Sequence, residues 1–97
     1  MHTINLFQLS FDPDKNERNI TERGLSFAQV TAFDFGTALY WVDTRRRYPE
    51  RRIVALGLLH GRVHSLVFVE TDTGIRVISF RKANTREVKR YEQETAA

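Results

Sequence analysis

The chain has 97 residues, 41% of them hydrophobic, with seven Phe, three Tyr, one Trp, no cysteine and a formal charge of +3. That is the make-up of one folded domain, spanning 1–97, with a single modest core, and it excludes a disulfide framework or a thiolate metal site. No apolar run approaches the roughly 18 residues of a membrane span, and MHTINLFQLSFD lacks the basic start and long apolar centre of a signal peptide, so the expectation is a cytoplasmic protein without membrane contact.

An extended segment around Ile4 to Phe11, strand or coil, comes first, with Leu6 and Phe7 as expected core contacts. A helix follows over roughly Pro13 to Arg23: Asp12 is a preferred N-cap, Pro13 suits the first helical position and Gly24 suits a left-handed C-terminal cap. Between Asp14 and Arg23 its only apolar side chain is Ile20, although helices in proteins are normally held by an apolar stripe. Ile20, with Phe11 and Leu25 just outside the ends, is therefore the expected anchor, and the polar face of Lys15, Asn19, Glu22 and Arg23 is left for a partner. Ser26 and Gln29 form a capping box for a second, short helix, FAQVTAF, with Leu25 and Val30 at staple positions and Phe27, Val30 and Phe33 or Ala32 facing inward.

From Thr37 the pattern turns to strands: ALYWVD, the apolar run RIVALGLL, VHSLVFVE after a His60-Gly61 turn, and IRVISFR after Asp72-Thr73-Gly74. A last helix starts near Asn84, with Glu87 as its capping-box partner. Two N-terminal helices, a four-stranded antiparallel meander and a C-terminal helix make an α+β fold. Strict alternation along IRVISFR puts Arg76 and Arg81 on opposite faces unless a bulge or the strand end re-aims one of them.

Five of the eight residues from Arg45 to Arg52, RRRYPERR, are arginine, and FRKANTREVKR adds more. Such clustering fits an anionic partner, or equally a solvated loop and an exposed helix face. Tyr48 amid these arginines can stack on a base while the guanidinium groups hold phosphates, or simply end a strand. Arg52 opens an apolar strand, and a shielded cation needs a partner or a ligand; Glu50 is the expected partner, with Glu70 and Glu87 for Arg76 and Arg81. His60 and His64 have a turn between them and no neighbouring carboxylate, so no metal site is expected. No acyl-transfer, P-loop or dinucleotide motif is present. Composition and pattern lead to a small basic α+β domain of RNA-binding type.

Three blocks in register add to this. The opening stretch supplies Phe11, Asp12, Lys15, Asn19, Gly24, Ser26 and Phe27; ERRIVALG supplies Glu50, Arg52 and Gly57; RVISFRKANTREVKRYE supplies Arg76, Ser79, Arg81, Ala83, Glu87 and Tyr91. With these the chain resembles the BrnT-type toxins of bacterial type II toxin–antitoxin systems, which share the RelE-like ribonuclease fold. Where that family has Lys-His before the glycine, this chain has Glu22-Arg23. The resemblance implies a metal-independent, cofactor-free endoribonuclease of the mRNA interferase type that inhibits translation and growth. It further implies a heteromeric complex with a BrnA-type antitoxin, through which alone operator DNA is bound. On this resemblance Arg52, Arg76 and Arg81 are expected to stabilise phosphate charge, Glu50 to act as base or to orient Arg52, and Lys15 to bind the backbone or donate a proton. Arg45, Arg46, Arg47, Tyr48, Asn19 and Arg23 are expected to bind RNA. Two rival functions fit the same features, a non-catalytic ParE-like toxin and a plain nucleic-acid-binding module.

Overall fold

The computed structural model describes residues 8–96; the expected core contacts Leu6 and Phe7 lie outside them. The elements run β1 (Gln8–Phe11), α1 (Pro13–Arg23), a 3₁₀ helix (Phe27–Ala32), β2 (Leu39–Val42), β3 (Ile53–Leu59), β4 (Arg62–Glu70), β5 (Gly74–Lys82) and α2 (Thr85–Thr95). Strands β2 to β5 are antiparallel neighbours in chain order. The expected four-stranded antiparallel meander is nevertheless wrong. Among the described residues the sheet has five strands in the order β1-β5-β4-β3-β2, and β1 joins β5 in parallel, with Gln8 opposite Gly74 and Phe11 opposite Val77. A four-residue strand that pairs with a partner more than 60 residues away leaves no local signature of its pairing.

The first helix has the caps its sequence specifies: the Asp12 carboxylate accepts from the Asp14 N–H, and Gly24 ends the helix at φ 65°. Its anchoring differs from expectation. Ile20 is 39% exposed, whereas Asn19 is only 8% exposed. The Asn19 Nδ2 donates to the carbonyls of Leu25 and Phe80, both at 2.9 Å, and the Asn16 Oδ1 accepts from the Phe27 N–H at 2.8 Å. Phe80 lies on β5 beyond the last residue paired with β1. Two asparagines therefore fasten α1 to the turn that follows it, and Asn19 also ties it to an edge carbonyl that β1 leaves unpaired.

The second helix is 3₁₀, and its spacing explains why. Phe27, Val30 and Phe33 recur every three residues, a period that a three-residue turn stacks into one line. All three are buried, while Ala32 is exposed. They pack with Leu25, Ala55, Leu59, Leu66, Phe68, Ile75, Val77 and Phe80 to form the main core on one sheet face. On the other face, α2 covers Leu56 and Val63 with Tyr91 and Val88, and the Arg90 guanidinium lies 4.3 Å from the Trp41 ring centre. Because α2 covers only part of this face, a strip of sheet beyond its N-terminus stays open.

Candidate active site

The open strip can be followed rung by rung. Trp41 stands opposite Val54, Val54 opposite Val67 and Val67 opposite Ser79; in the next same-face rung Leu39, Leu56, Ser65 and Arg81 face one another. In the opposite direction Asp43 N donates to the Arg52 carbonyl at 2.8 Å, and Val69 faces Arg76. The register of β4 with β5 slips between Val67 and Phe68, whose partners are Ser79 and Val77. Ile78 is the extra residue, a β-bulge. Ile75, Val77 and Phe80 consequently all reach the main core, while Arg76 and Arg81 share the open face.

A groove of about 260 Å³ crosses this face, lined by Asp43, Arg45, Tyr48, Arg52, Ser79, Arg81 and Glu87 over an apolar floor that includes Val54 and Val67. Most of its cations are neutralised. Arg81 binds Glu87 through two bonds, of 2.8 and 3.0 Å, and the Arg81 hydrogen bonds hold the Glu87 carboxyl below its ordinary range. Glu87 also closes the α2 capping box with Asn84, so helix start and site share one carboxylate. Arg45 binds Asp43 through Nε at 2.9 Å and Nη2 at 2.8 Å. These bonds outweigh burial and hold Asp43 far below the carboxylate range, and the same contact raises the Arg45 pKa.

Arg52 is different. Among the described residues it has no carboxylate partner, and its buried Nε has no hydrogen-bond acceptor. Its guanidinium carbon lies 4.1 Å from the centre of the Tyr48 ring. The expected Glu50 partner is bound to Arg76 instead, and Glu70 lies 3.7 Å from Arg51. Glu50 borders a second hollow in the loop, beside Arg46, Arg47 and Pro49, which shares Asp43, Tyr48 and Arg52 with the groove.

The α1 cations line an adjoining groove of about 200 Å³ formed by Lys15, Arg18, Asn19, Glu22, Arg23, Phe27, Ile78 and Ser79. It meets the first groove at the bulge, since Ile78 and Ser79 line both. Lys15 and Arg23 are exposed there, whereas the Asn19 Nδ2 is committed to the backbone and its Oδ1 accepts from Arg23 Nη1 at 3.4 Å. Sequence reasoning thus assembled Arg52, Arg81 and Tyr48 in one groove and Lys15 and Arg23 in its neighbour. It missed Asp43, whose signal is an acid two residues before an arginine at a strand end, the pattern of a side-chain-capped turn.

The family described as ribonuclease toxin, BrnT, of type II toxin–antitoxin system matches residues 11–87. The chain belongs to the BrnT family. It is therefore a ribonuclease toxin of a type II system, a class that pairs with a cognate antitoxin. No curated protein matches it. The BrnT match begins just before α1 and ends at Glu87, so it spans every residue that lines the two grooves. None of the helices among the described residues is long and apolar enough to cross a membrane.

Proposed function

We propose that this BrnT toxin cleaves RNA without a metal ion, by attack of a ribose 2′-hydroxyl on the adjacent phosphorus in the groove between Arg52 and Arg81. The observation that carries the reading is Arg52, a half-buried cation that has no counter-charge among the described residues, where every other arginine of the groove has one. A shielded cation without a counter-charge is costly, and a phosphate supplies that charge and acceptors for the terminal Nη groups of Arg52. In the pentavalent transition state Arg52 stabilises the non-bridging oxygens, joined by Arg81 once Glu87 has taken up a proton and no longer cancels its charge. Glu87, ionised beside Arg81, accepts the 2′-hydroxyl proton. As the bond from 2′-oxygen to phosphorus forms, the bond from phosphorus to 5′-oxygen breaks. The leaving oxygen takes a proton from solvent, to which Glu87 later returns its own. The products are a 2′,3′-cyclic phosphate and a 5′-hydroxyl. Glu50 holds Arg76 at the margin, and Lys15 and Arg23 bind the flanking backbone in the adjoining groove.

In the cell this reaction inhibits translation and growth. A BrnA-type antitoxin neutralises it by covering the groove, and operator DNA is contacted through that antitoxin alone. The test is incubation of the purified protein with RNA, with and without chelator. The expected result is chelator-insensitive fragments with cyclic-phosphate ends, lost by about 10²- to 10³-fold in Arg52→Ala. Chelator-sensitive cleavage, or a folded Arg52→Ala protein with full activity, overturns the mechanism.

A further inference from the structure

We propose that Tyr48 is a positioning residue whose ring clamps Arg52, with Asp43 holding the loop that carries it, an assignment that rests on the cleavage reading above. The segment from Asp43 to Arg52 leaves the sheet and returns to it, closed at its neck by the bond from Asp43 N to the Arg52 carbonyl, 2.8 Å. Inside the neck sits the Asp43 carboxylate, with a side chain 1% exposed. A buried carboxylate is tolerated when it is neutralised and its lone pairs are filled. Here it accepts four bonds: from Arg45 N at 3.1 Å, Nε at 2.9 Å and Nη2 at 2.8 Å, and from the Tyr48 hydroxyl at 3.2 Å. The hydroxyl end of Tyr48 is thus tethered, and one face of its ring is occupied by the Arg52 guanidinium.

The choice of support has a chemical logic. Arg76 and Arg81 are held by Glu50 and Glu87, which take up donors and cancel charge. An aromatic face holds a guanidinium by its plane and takes none of its N–H groups. Arg52 is therefore fixed with its terminal Nη donors and its charge available to a phosphate, the condition for a preorganised transition-state stabiliser. Tyr48 acts through Arg52, and stacking on a substrate base is not its main contribution.

The two roles separate kinetically. A residue that orients a transition-state donor changes kcat, whereas a base-stacking residue changes KM with kcat kept. With a short oligoribonucleotide as substrate, Tyr48→Ala should lower kcat by about 10-fold or more and leave KM within about twofold. Tyr48→Phe retains the ring and should keep kcat within about threefold, because its loss is confined to one hydrogen bond. Tyr48→Ala placed in the Arg52→Ala background should have no further effect, since the two residues act as a unit. An increase in KM alone, additive losses, or a Phe variant as impaired as Ala overturns the clamp.

NMR relaxation of the Arg52 Nε–Hε group in the 97-residue chain reads the clamp without any cleavage. It should be as ordered as the β3 backbone in the wild type and in Tyr48→Phe, and mobile in Tyr48→Ala. A mobile Arg52 side chain in the wild type sinks the clamp whatever the activity. A rigid Arg52 with no effect of Arg52→Ala on cleavage sinks the catalytic reading instead.

Discussion

Asn19→Ala should destabilise the protein far more than its position on a polar helix suggests. The substitution removes two 2.9 Å hydrogen bonds and leaves the Leu25 and Phe80 carbonyls without that donor in a site the wild-type side chain nearly seals. Each bond has a net worth of about 1 kcal/mol, and a buried carbonyl without a partner adds about 1–3 kcal/mol, so a loss of about 2–4 kcal/mol is expected. For a domain of this size that lowers Tm by roughly 10–25 °C. Urea unfolding followed by Trp41 fluorescence measures it, and amide exchange across α1 should rise together with the global loss. Asn19→Asp sharpens the test. It keeps the shape but aims a carboxylate at two carbonyl oxygens, which raises its folded pKa above the unfolded value. Its stability should therefore be greatest at acid pH and fall as pH rises through the folded pKa, where it becomes less stable than the Ala variant. A loss under about 0.5 kcal/mol for Asn19→Ala, the scale of an ordinary surface change, refutes the idea that polar bonds hold this helix in place.

Other outcomes follow from single interactions. A Cβ on Gly57 would stand 2.7 Å from the Phe33 Cζ and 2.8 Å from the Ala38 Cβ, so Gly57→Ala should cost about 1–3 kcal/mol in denaturant unfolding, with part of it recovered by Phe33→Leu. The folded pKa values of Asp43 and Glu87 both lie below their unfolded ones. Their stabilisation is therefore complete above the unfolded carboxylate range near about pH 4 and is lost as pH falls through the folded values; Asp43→Asn should weaken the protein at pH 7 and flatten the acid branch of its stability curve. Burial depresses the His64 pKa, so stability should decline as pH drops below about 6.5, the unfolded value, and His64→Gln should remove that decline. In an Arg52→Ala background, neutralising Lys15, Arg18 and Arg23 together should reduce the salt slope of single-stranded RNA binding by up to about 2, at about 0.7 for each phosphate that loses its cation. An unchanged slope would remove the adjoining groove from the RNA path.

Local signals in this chain were legible wherever the structure obeys local rules. Asp12, Pro13 and Gly24 cap α1, Ser26 and Gln29 close one capping box, and Asn84 and Glu87 close another, as their spacing predicts. Tertiary choices were not legible. A buried asparagine looks like any polar helix residue until its carbonyl partners are known, and those come from Leu25 and from β5. The pairing of β1 with β5 is equally non-local. Within the site, the residue types were readable but the partnerships were not. Glu50 is two residues from Arg52 in sequence, yet it pairs with Arg76, because it lies in the bend before β3 and not in the strand, where residues two apart would share a face. The capping box concealed a second role as well, since the Glu87 that starts α2 also faces the groove.

The bulge at Ile78 is a matter of parity. The residues opposite Arg76 and Arg81 are Val69 and Ser65, four apart on β4, while the arginines themselves are five apart. One inserted residue converts an odd separation into an even one, and everything C-terminal to it inherits the change: Phe80 inward, Arg81 outward, then the entry to α2. Substitution at Ile78 can alter only what its side chain touches. Deletion of Ile78 would invert the rest of β5, driving a guanidinium toward the core and a phenyl ring into the groove. The site therefore depends on the length of this strand as strictly as on its arginines, and a BrnT protein that gained or lost one residue there would need a second, compensating change to keep both.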